Sequence, residues 1–232
     1  HCYNTDGCYL IYDAEAIWHR RDELLLNRVD HSLLSNETLK NLPEISRTYD
    51  FRRGQEQHLL SKANAVTTVS AVEKAHILSI LSVQNVSIDA YVIGHVMPEM
   101  LLSSFSFQDR RGLFFVAGFH GGMYYNGDAI FWFLRTVFPQ IQTKGPIPLL
   151  IAGHQIPSYL QIWLETYEYK NLVTLLESPN DLQPLYDQSR ILVVPHQYGT
   201  GIQYKVSESM SAGLPCVLSH VAANGFNSNN DS

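Results

Sequence analysis

Residues Pro195 to Val217 read PHQYGTGIQYKVSESMSAGLPCV. The apolar run Ile191 to Val194 stops at Pro195. A loop carrying Gly199 and Gly201 follows, then a helix-like stretch that ends at Gly213, then a second apolar run from Leu214 to Leu218. This order is a strand–loop–helix–strand unit. Its loop and helix start fall where open α/β sheets bind anionic ligands, outside the carboxyl ends of the strands.

At 100° per residue, Val206 and Met210 fall on one side of that helix and are expected to face a sheet. Lys205 and Glu208 lie within about 60° of each other on the far side. The first turn exposes unpaired backbone N–H groups, and the helix dipole adds partial positive charge. A hydrogen bond to a charged group contributes roughly 1.5–3 kcal/mol, against roughly 0.3–1 kcal/mol for an exposed dipole. Lys205 therefore matters more to a phosphate than the helix end does. Spacing alone fits equally well an ordinary surface ion pair worth about 0.2–0.5 kcal/mol.

The rest of the composition removes other classes. The net charge of −6 and the shortness of the longest basic cluster, His19-Arg20-Arg21, argue against a nucleic-acid surface. No apolar run approaches the roughly 20 residues of a spanning helix, which leaves only peripheral membrane contact. Cys2, Cys8 and Cys216 form no CxxC spacing, and reduced thiols in a cytoplasmic setting are expected, a Cys2–Cys8 disulfide being the alternative. The histidines show no zinc spacing and the chain has no D-x-D, so no metal ligands are expected. The chain opens at His1 and closes on the polar tail NSNNDS soon after a strand, which suggests a piece of a longer protein.

Two α/β series run along the chain. In the first, Tyr9 to Tyr12 and Val66 to Val69 read as strands, residues 49 to 61 as a helix, and Ser70-x-x-Glu73 as a capping box for another helix. Val86 to Ile93 reads as a third strand. Gly94 to Arg111 breaks the rhythm. In the second series, strands are expected at Leu113 to Ala117, Pro146 to Ala152, Leu172 to Leu176, Ile191 to Val194 and Leu214 to Leu218. Ile130, Phe133, Leu134 and Val137 line one face of a helix, and Asn126 reads as its N-cap. The expected class is α/β with parallel strands and crossover helices. The expected division is a partial N-terminal Rossmann-like domain over 1–96, a linker over 97–111 and a C-terminal Rossmann-like domain over 112–232.

Pro195, Gly199-Thr200-Gly201, Lys205, Glu208, Gly213 and Pro215 fill the places of a P…G-x-G-x-K-x-x-E…G-x-P-V-V pattern. In this the segment resembles the donor-binding segment of GT-B glycosyltransferases of the glycosyl transferase group 1 kind. Phe115-Val116-Ala117-Gly118-Phe119 with Asn126-Gly127-Asp128-Ala129-Ile130 resembles the first strand and loop of that family's C-terminal domain. Asp181-Leu182 with Leu185-Tyr186 resembles its nucleobase stretch, without the usual glycine near Glu177 or Ser178. Leu10-Ile11-Tyr12-Asp13 with His19-Arg20-Arg21, and Ala63-Asn64-Ala65-Val66 into Val69-Ser70 and Glu73, resemble its acceptor-side domain.

The resemblance implies a GT-B fold of two Rossmann-like domains facing a cleft. It implies a hexosyltransferase of EC class 2.4 that moves a sugar from a nucleotide-diphosphate sugar to an acceptor hydroxyl, with retention and without a metal or other cofactor, in glycan biosynthesis. Lys205 then binds the donor diphosphate and Glu208 the ribose. Gly118, Gly121, Gly199, Thr200, Gly201 and Ile202 are the further donor-side residues, and Asp13 and His19 are the acceptor-side ones. The acceptor is a glycan, a lipid-linked group or a protein. Many members carry a second glutamate where this chain has Thr200. That departure keeps open a non-catalytic GT-B module, with a sugar-nucleotide epimerase as a further alternative.

Overall fold

A computed structural model of the chain describes residues 9–27, 29–97, 105–120 and 124–226. Four expectations lie outside the described residues: Gly121 as a donor-side glycine, the Cys2–Cys8 alternative, residues 98–104 of the linker, and the terminal NSNNDS.

The first sheet is three-stranded and parallel, with β1 (Ile11–Ala14), β2 (Ala65–Thr68) and β3 (Asp89–Val92) side by side in that order. All three are shorter than the apolar runs suggest, or shifted along them. Tyr12, Ala14, Val66 and Ala90 point to one face, where Ile17, just ahead of α1 (Trp18–Asn27), joins Leu60 of α2 (Asn36–Lys62) and Ile77 and Leu81 of α3 (Ala71–Val83) in a shared core. Ser70 accepts from the Glu73 backbone N–H at 3.3 Å and caps α3. The helix expected over 49–61 is the second half of α2, a 27-residue helix with Pro43 inside it. Ser35 caps its start by accepting from the Thr38 N–H.

The second sheet is five-stranded and parallel, ordered β6-β5-β4-β7-β8. Its members are β4 (Arg111–Gly118), β5 (Leu149–His154), β6 (Val173–Glu177), β7 (Ser189–Val194) and β8 (Cys216–Leu218). β4 begins inside the stretch expected as linker. α4 (Tyr124–Trp132), a π turn (Phe133–Val137) and α5 (Phe138–Gln142) run on from one another, with α6 (Ser158–Glu165) beside them. They bury Ile130, Phe133, Leu134, Phe138 and Leu160 against one face of the sheet. α7 (Gln183–Gln188), α8 (Tyr204–Ser211) and α9 (His220–Ala223) close the other face around Phe114, Tyr186, Leu192, Val194 and Val206. With buried helices on both faces, the β4, β5 and β7 strands are continuous apolar runs, as a doubly wound sheet requires.

Strand order reverses between β4 and β7. Successive crossovers leave in opposite directions there, so a crevice opens outside the carboxyl ends of these two strands. Gly118 ends β4 and Pro195-His196 follow β7. The two sheets meet near the same place. Asp128 of α4, buried to 1% exposure, accepts from the Ser35 backbone N–H at 2.9 Å and the Thr38 hydroxyl at 2.8 Å, and from Tyr198 at 2.8 Å.

Candidate donor site and its comparison with known proteins

α8 starts at Tyr204, so Lys205 sits in its first turn. Its ammonium donates to Asn126 Oδ1 at 2.9 Å and lies 5.1 Å from the centre of the Phe115 ring. His196 Nε2 meets the same Oδ1 at 2.8 Å, and Asn126 Nδ2 donates to the Gly118 carbonyl at 2.7 Å. Because Lys205 can only donate, Oδ1 is the acceptor for both, which places the histidine proton on Nε2. Burial, and then the charges of Lys205 and Arg21, hold His196 well below the usual histidine range, so the ring is neutral. The lysine is only partly buried along its stem, but its head is enclosed, and desolvation pushes it down to about 7.

Asn126 is therefore not the expected N-cap. It lies inside α4 and ties the end of β4, the residue after β7 and the first turn of α8 together. Sequence reading missed this role and missed His196. The available signal was the position of His196 directly after Pro195 at a strand end. The inward face of α8 also differs from expectation. Val206 and Ser209 are buried, while Met210 is 62% exposed. Ala212 and Leu214, just past the helix, pack with Val206 in its place.

Glu208 lies one turn beyond Lys205, and the two do not form a surface ion pair. Instead Glu208 accepts from the Tyr186 hydroxyl at 2.6 Å. Gly199 and Gly201 take φ of +155° and +80°. A Cβ on Gly201 would stand 3.1 Å from the Glu15 carbonyl of the first sheet's side, so this turn needs glycine for both conformation and space. Ile202 follows it, half-buried.

Thr200 is already engaged. Its hydroxyl donates to the Ile17 carbonyl at 3.2 Å and accepts from Arg21 Nε at 3.0 Å, and Arg21 Nη2 reaches its carbonyl at 3.4 Å. Arg21 is stacked between Trp18 and Tyr125, at 4.6 and 4.8 Å from their ring centres. Beneath the same turn, Glu73 is pushed up to about 7, chiefly by burial, against the pull of the Gly201 backbone, Ser70 and the Arg21 charge.

The acceptor-side residues separate. Asp13 lies within β1, not past its end, is exposed, and accepts from the Thr67 hydroxyl at 2.6 Å. His19 is buried to 3% exposure rather than solvated, because Glu56 reaches up from α2 to cap the start of α1. One Glu56 oxygen accepts from the Trp18 N–H; the other meets the His19 N–H and, at 2.5 Å, its ring Nδ1. In the nucleobase stretch Ser178 adopts φ +49°, the left-handed conformation in which glycine is the usual residue.

A cavity beside the crevice does not include Lys205 or Glu208. About 620 Å³ in volume, it lies between α1, α2 and the aromatic residues Tyr124, Tyr125 and Tyr198. A second, of about 300 Å³, lies under the Gly199–Gly201 turn beside Arg20, Glu73 and His76. Among the described residues, no group of three or more His, Cys, Asp or Glu could hold a metal ion, and no helix is long and apolar enough to cross a membrane.

Two parallel α/β sheets facing each other across this crevice make the GT-B arrangement. Solved structures share it. TarM superposes with a TM-score of 0.59 at 14% identity, over 75% of this chain and 34% of TarM. A UDP-forming α,α-trehalose-phosphate synthase from Burkholderia vietnamiensis gives 0.53 at 10% identity, over 80% and 53%. The model of the family "Glycosyl transferases group 1" matches residues 115–230, half of the chain, and the chain belongs to that family. A Klebsiella pneumoniae "Uncharacterized 44.6 kDa protein in cps region" is 29% identical over 110 residues, which are 45% of this chain and 28% of that protein. The chain thus spans between about a quarter and a half of the length of these proteins.

Proposed function

We propose that this chain carries the donor site of a retaining hexosyltransferase that moves a sugar from a nucleotide-diphosphate sugar to an acceptor hydroxyl, with no cofactor besides the donor. The observation that carries this reading is the convergence of Lys205, Asn126 and His196 at the mouth of the β4–β7 crevice, with Glu208 one turn further along α8. Lys205 and the N-terminal end of α8 face developing negative charge on a departing diphosphate, the place where fixed electrostatics lower a barrier most. The acceptor oxygen bonds the anomeric carbon as its bond to the diphosphate oxygen breaks, and the acceptor proton leaves on the diphosphate. Glu208, held by Tyr186, takes hydrogen bonds from ribose hydroxyls. The Burkholderia synthase of similar fold is UDP-forming, and a nucleoside diphosphate product of that class is the one proposed here.

The test is a thermal-shift screen against UDP-, GDP- and dTDP-sugars. One nucleotide family is expected to raise Tm in the wild type, and Lys205→Ala and Glu208→Ala are expected to lose at least tenfold in affinity while still unfolding cooperatively. Wild-type affinity in Lys205→Ala overturns the reading. The engaged side chain of Thr200, standing where many relatives hold a sugar-binding glutamate, favours a second reading as a binding module. Nucleotide binding with no nucleotide release from any donor, in a chain extended to the relatives' length, would select it.

A further inference from the structure

We infer that Arg21 is a positioning residue for the donor turn. It holds Gly199–Gly201 from the first sheet's side, so the nucleotide site of the second sheet depends on a side chain outside it. The effect on the nucleotide rests on the glycosyltransferase reading; the grip on the turn does not.

The turn is poorly equipped to fix itself. Gly199 and Gly201 take φ of +155° and +80°, and glycine gives up more conformational freedom on ordering than any other residue. Among the described residues, no backbone–backbone hydrogen bond involves positions 199–201. The fastenings come from the N-terminal half instead. The Thr200 hydroxyl donates to the Ile17 carbonyl at 3.2 Å, and the Glu15 carbonyl leaves a Cβ at Gly201 only 3.1 Å of room. Arg21 adds two contacts to the one residue between the glycines. Its Nε donates to the Thr200 hydroxyl at 3.0 Å and its Nη2 to the Thr200 carbonyl at 3.4 Å. Backbone N–H groups of a turn form an anion-binding concavity only while its dihedrals are held.

Arg21 is itself fixed. Trp18, one turn before it on α1, and Tyr125 of α4 hold its guanidinium between their rings, at 4.6 and 4.8 Å from the ring centres. Tyr125 directly precedes Asn126, the residue that holds Lys205. A planar guanidinium keeps two ring contacts and a fork of donors at once, which a lysine ammonium does not. Arg20 next to it pairs with Glu23 instead. With Nε and Nη2 given to Thr200, Arg21 acts on the donor through the turn and not by touching it.

The experiment joins ¹⁵N order parameters at residues 199–201 with titration calorimetry of UDP and GDP, both on the whole chain. The variants are Arg21→Met, which keeps an apolar stem between the rings, Arg21→Lys, Thr200→Val and the double variant Arg21→Met with Thr200→Val. In Arg21→Met the order parameters of the turn are expected to fall from the rigid value of about 0.85 to below about 0.6. Nucleotide affinity is expected to fall about tenfold in that variant, with Arg21→Lys recovering part of the loss. Thr200→Val keeps the positive charge and removes the shared hydroxyl, and it is expected to lose several-fold. The double variant is expected to lose less than the product of the two single losses, because both remove one contact. A turn as rigid in Arg21→Met as in the wild type overturns the proposal. So does wild-type affinity with a loosened turn, or no recovery in Arg21→Lys. Losses that multiply fully in the double variant also overturn it, since Arg21 would then act by its charge alone. A turn loosened in Arg21→Met, with no nucleotide bound even by the wild type, upholds the grip and removes the donor reading instead.

Discussion

At the scale of single residues the site is governed by desolvation. Enclosure among Asn126, His196 and Phe115 pushes the Lys205 ammonium down to about 7. An anionic diphosphate favours the ammonium and raises that value on binding. Nucleotide affinity is therefore expected to be flat below about pH 7 and to fall above it, by up to roughly tenfold per pH unit until the bound-state value is reached. Titration calorimetry with UDP or GDP between pH 6 and 9 measures this. Lys205→Arg, which stays charged throughout, is expected to bind with a flat profile at whatever affinity its different geometry allows. A wild-type profile equally flat to pH 9 would contradict the role given to Lys205. That Lys205 and Glu208 share one side of α8 was legible from helix spacing, while their donor role came only from the resemblance. Their partners were not legible. Asn126 and His196 come from different elements, and only the closure of the crevice brings them within 3 Å of a shared atom.

Elements were legible where their pattern was local. The five strands of the second sheet follow from apolar runs between breakers, and Ser70-x-x-Glu73 announces α3. α2 was half hidden. Pro43 has no N–H to donate and reads as a boundary, yet the helix begins seven residues before it at Asn36. Tertiary fastening explains this start. Asp128 accepts from Ser35 and Thr38, so the first turn of α2 is anchored in α4 before the proline is reached. Asp128→Ala leaves the Ser35 N–H and the Thr38 and Tyr198 hydroxyls without this acceptor, and it is expected to cost about 2–4 kcal/mol in denaturant unfolding. Amide exchange is expected to speed up at residues 35–38. Asp128→Asn, which keeps one acceptor oxygen, is expected to lose less. Unchanged exchange at those amides in Asp128→Ala would show that α2 starts at Asn36 for local reasons.

For the whole molecule, the relation between the two sheets lay beyond sequence reading, because every seam joins residues remote in the chain. Asp128 meets Ser35 and Thr38, Arg21 grips Thr200, and Glu73 lies under Gly201. The last seam is sensitive to protons. Burial raises Glu73 from an ordinary 4.5 to about 7 in the folded chain. A raised acid gives its full relative stabilisation below the unfolded value. It then loses that contribution as pH climbs from about 4.5 through about 7, because the folded state holds a proton that the unfolded chain has released. The loss amounts to roughly 3 kcal/mol at most. Glu73→Gln removes the titration and keeps an amide beside Ser70 and Gly201. Its Tm is therefore expected to match the wild type near pH 5 and to exceed it by several degrees at pH 8, as scanning calorimetry at both values would show. Equal gains at the two pH values would mean that the substituted amide acts through packing alone. A wild type whose stability does not fall between pH 5 and 8 relative to Glu73→Gln would show that the carboxylate under the donor turn stays ionised throughout and joins the halves as a fixed charge.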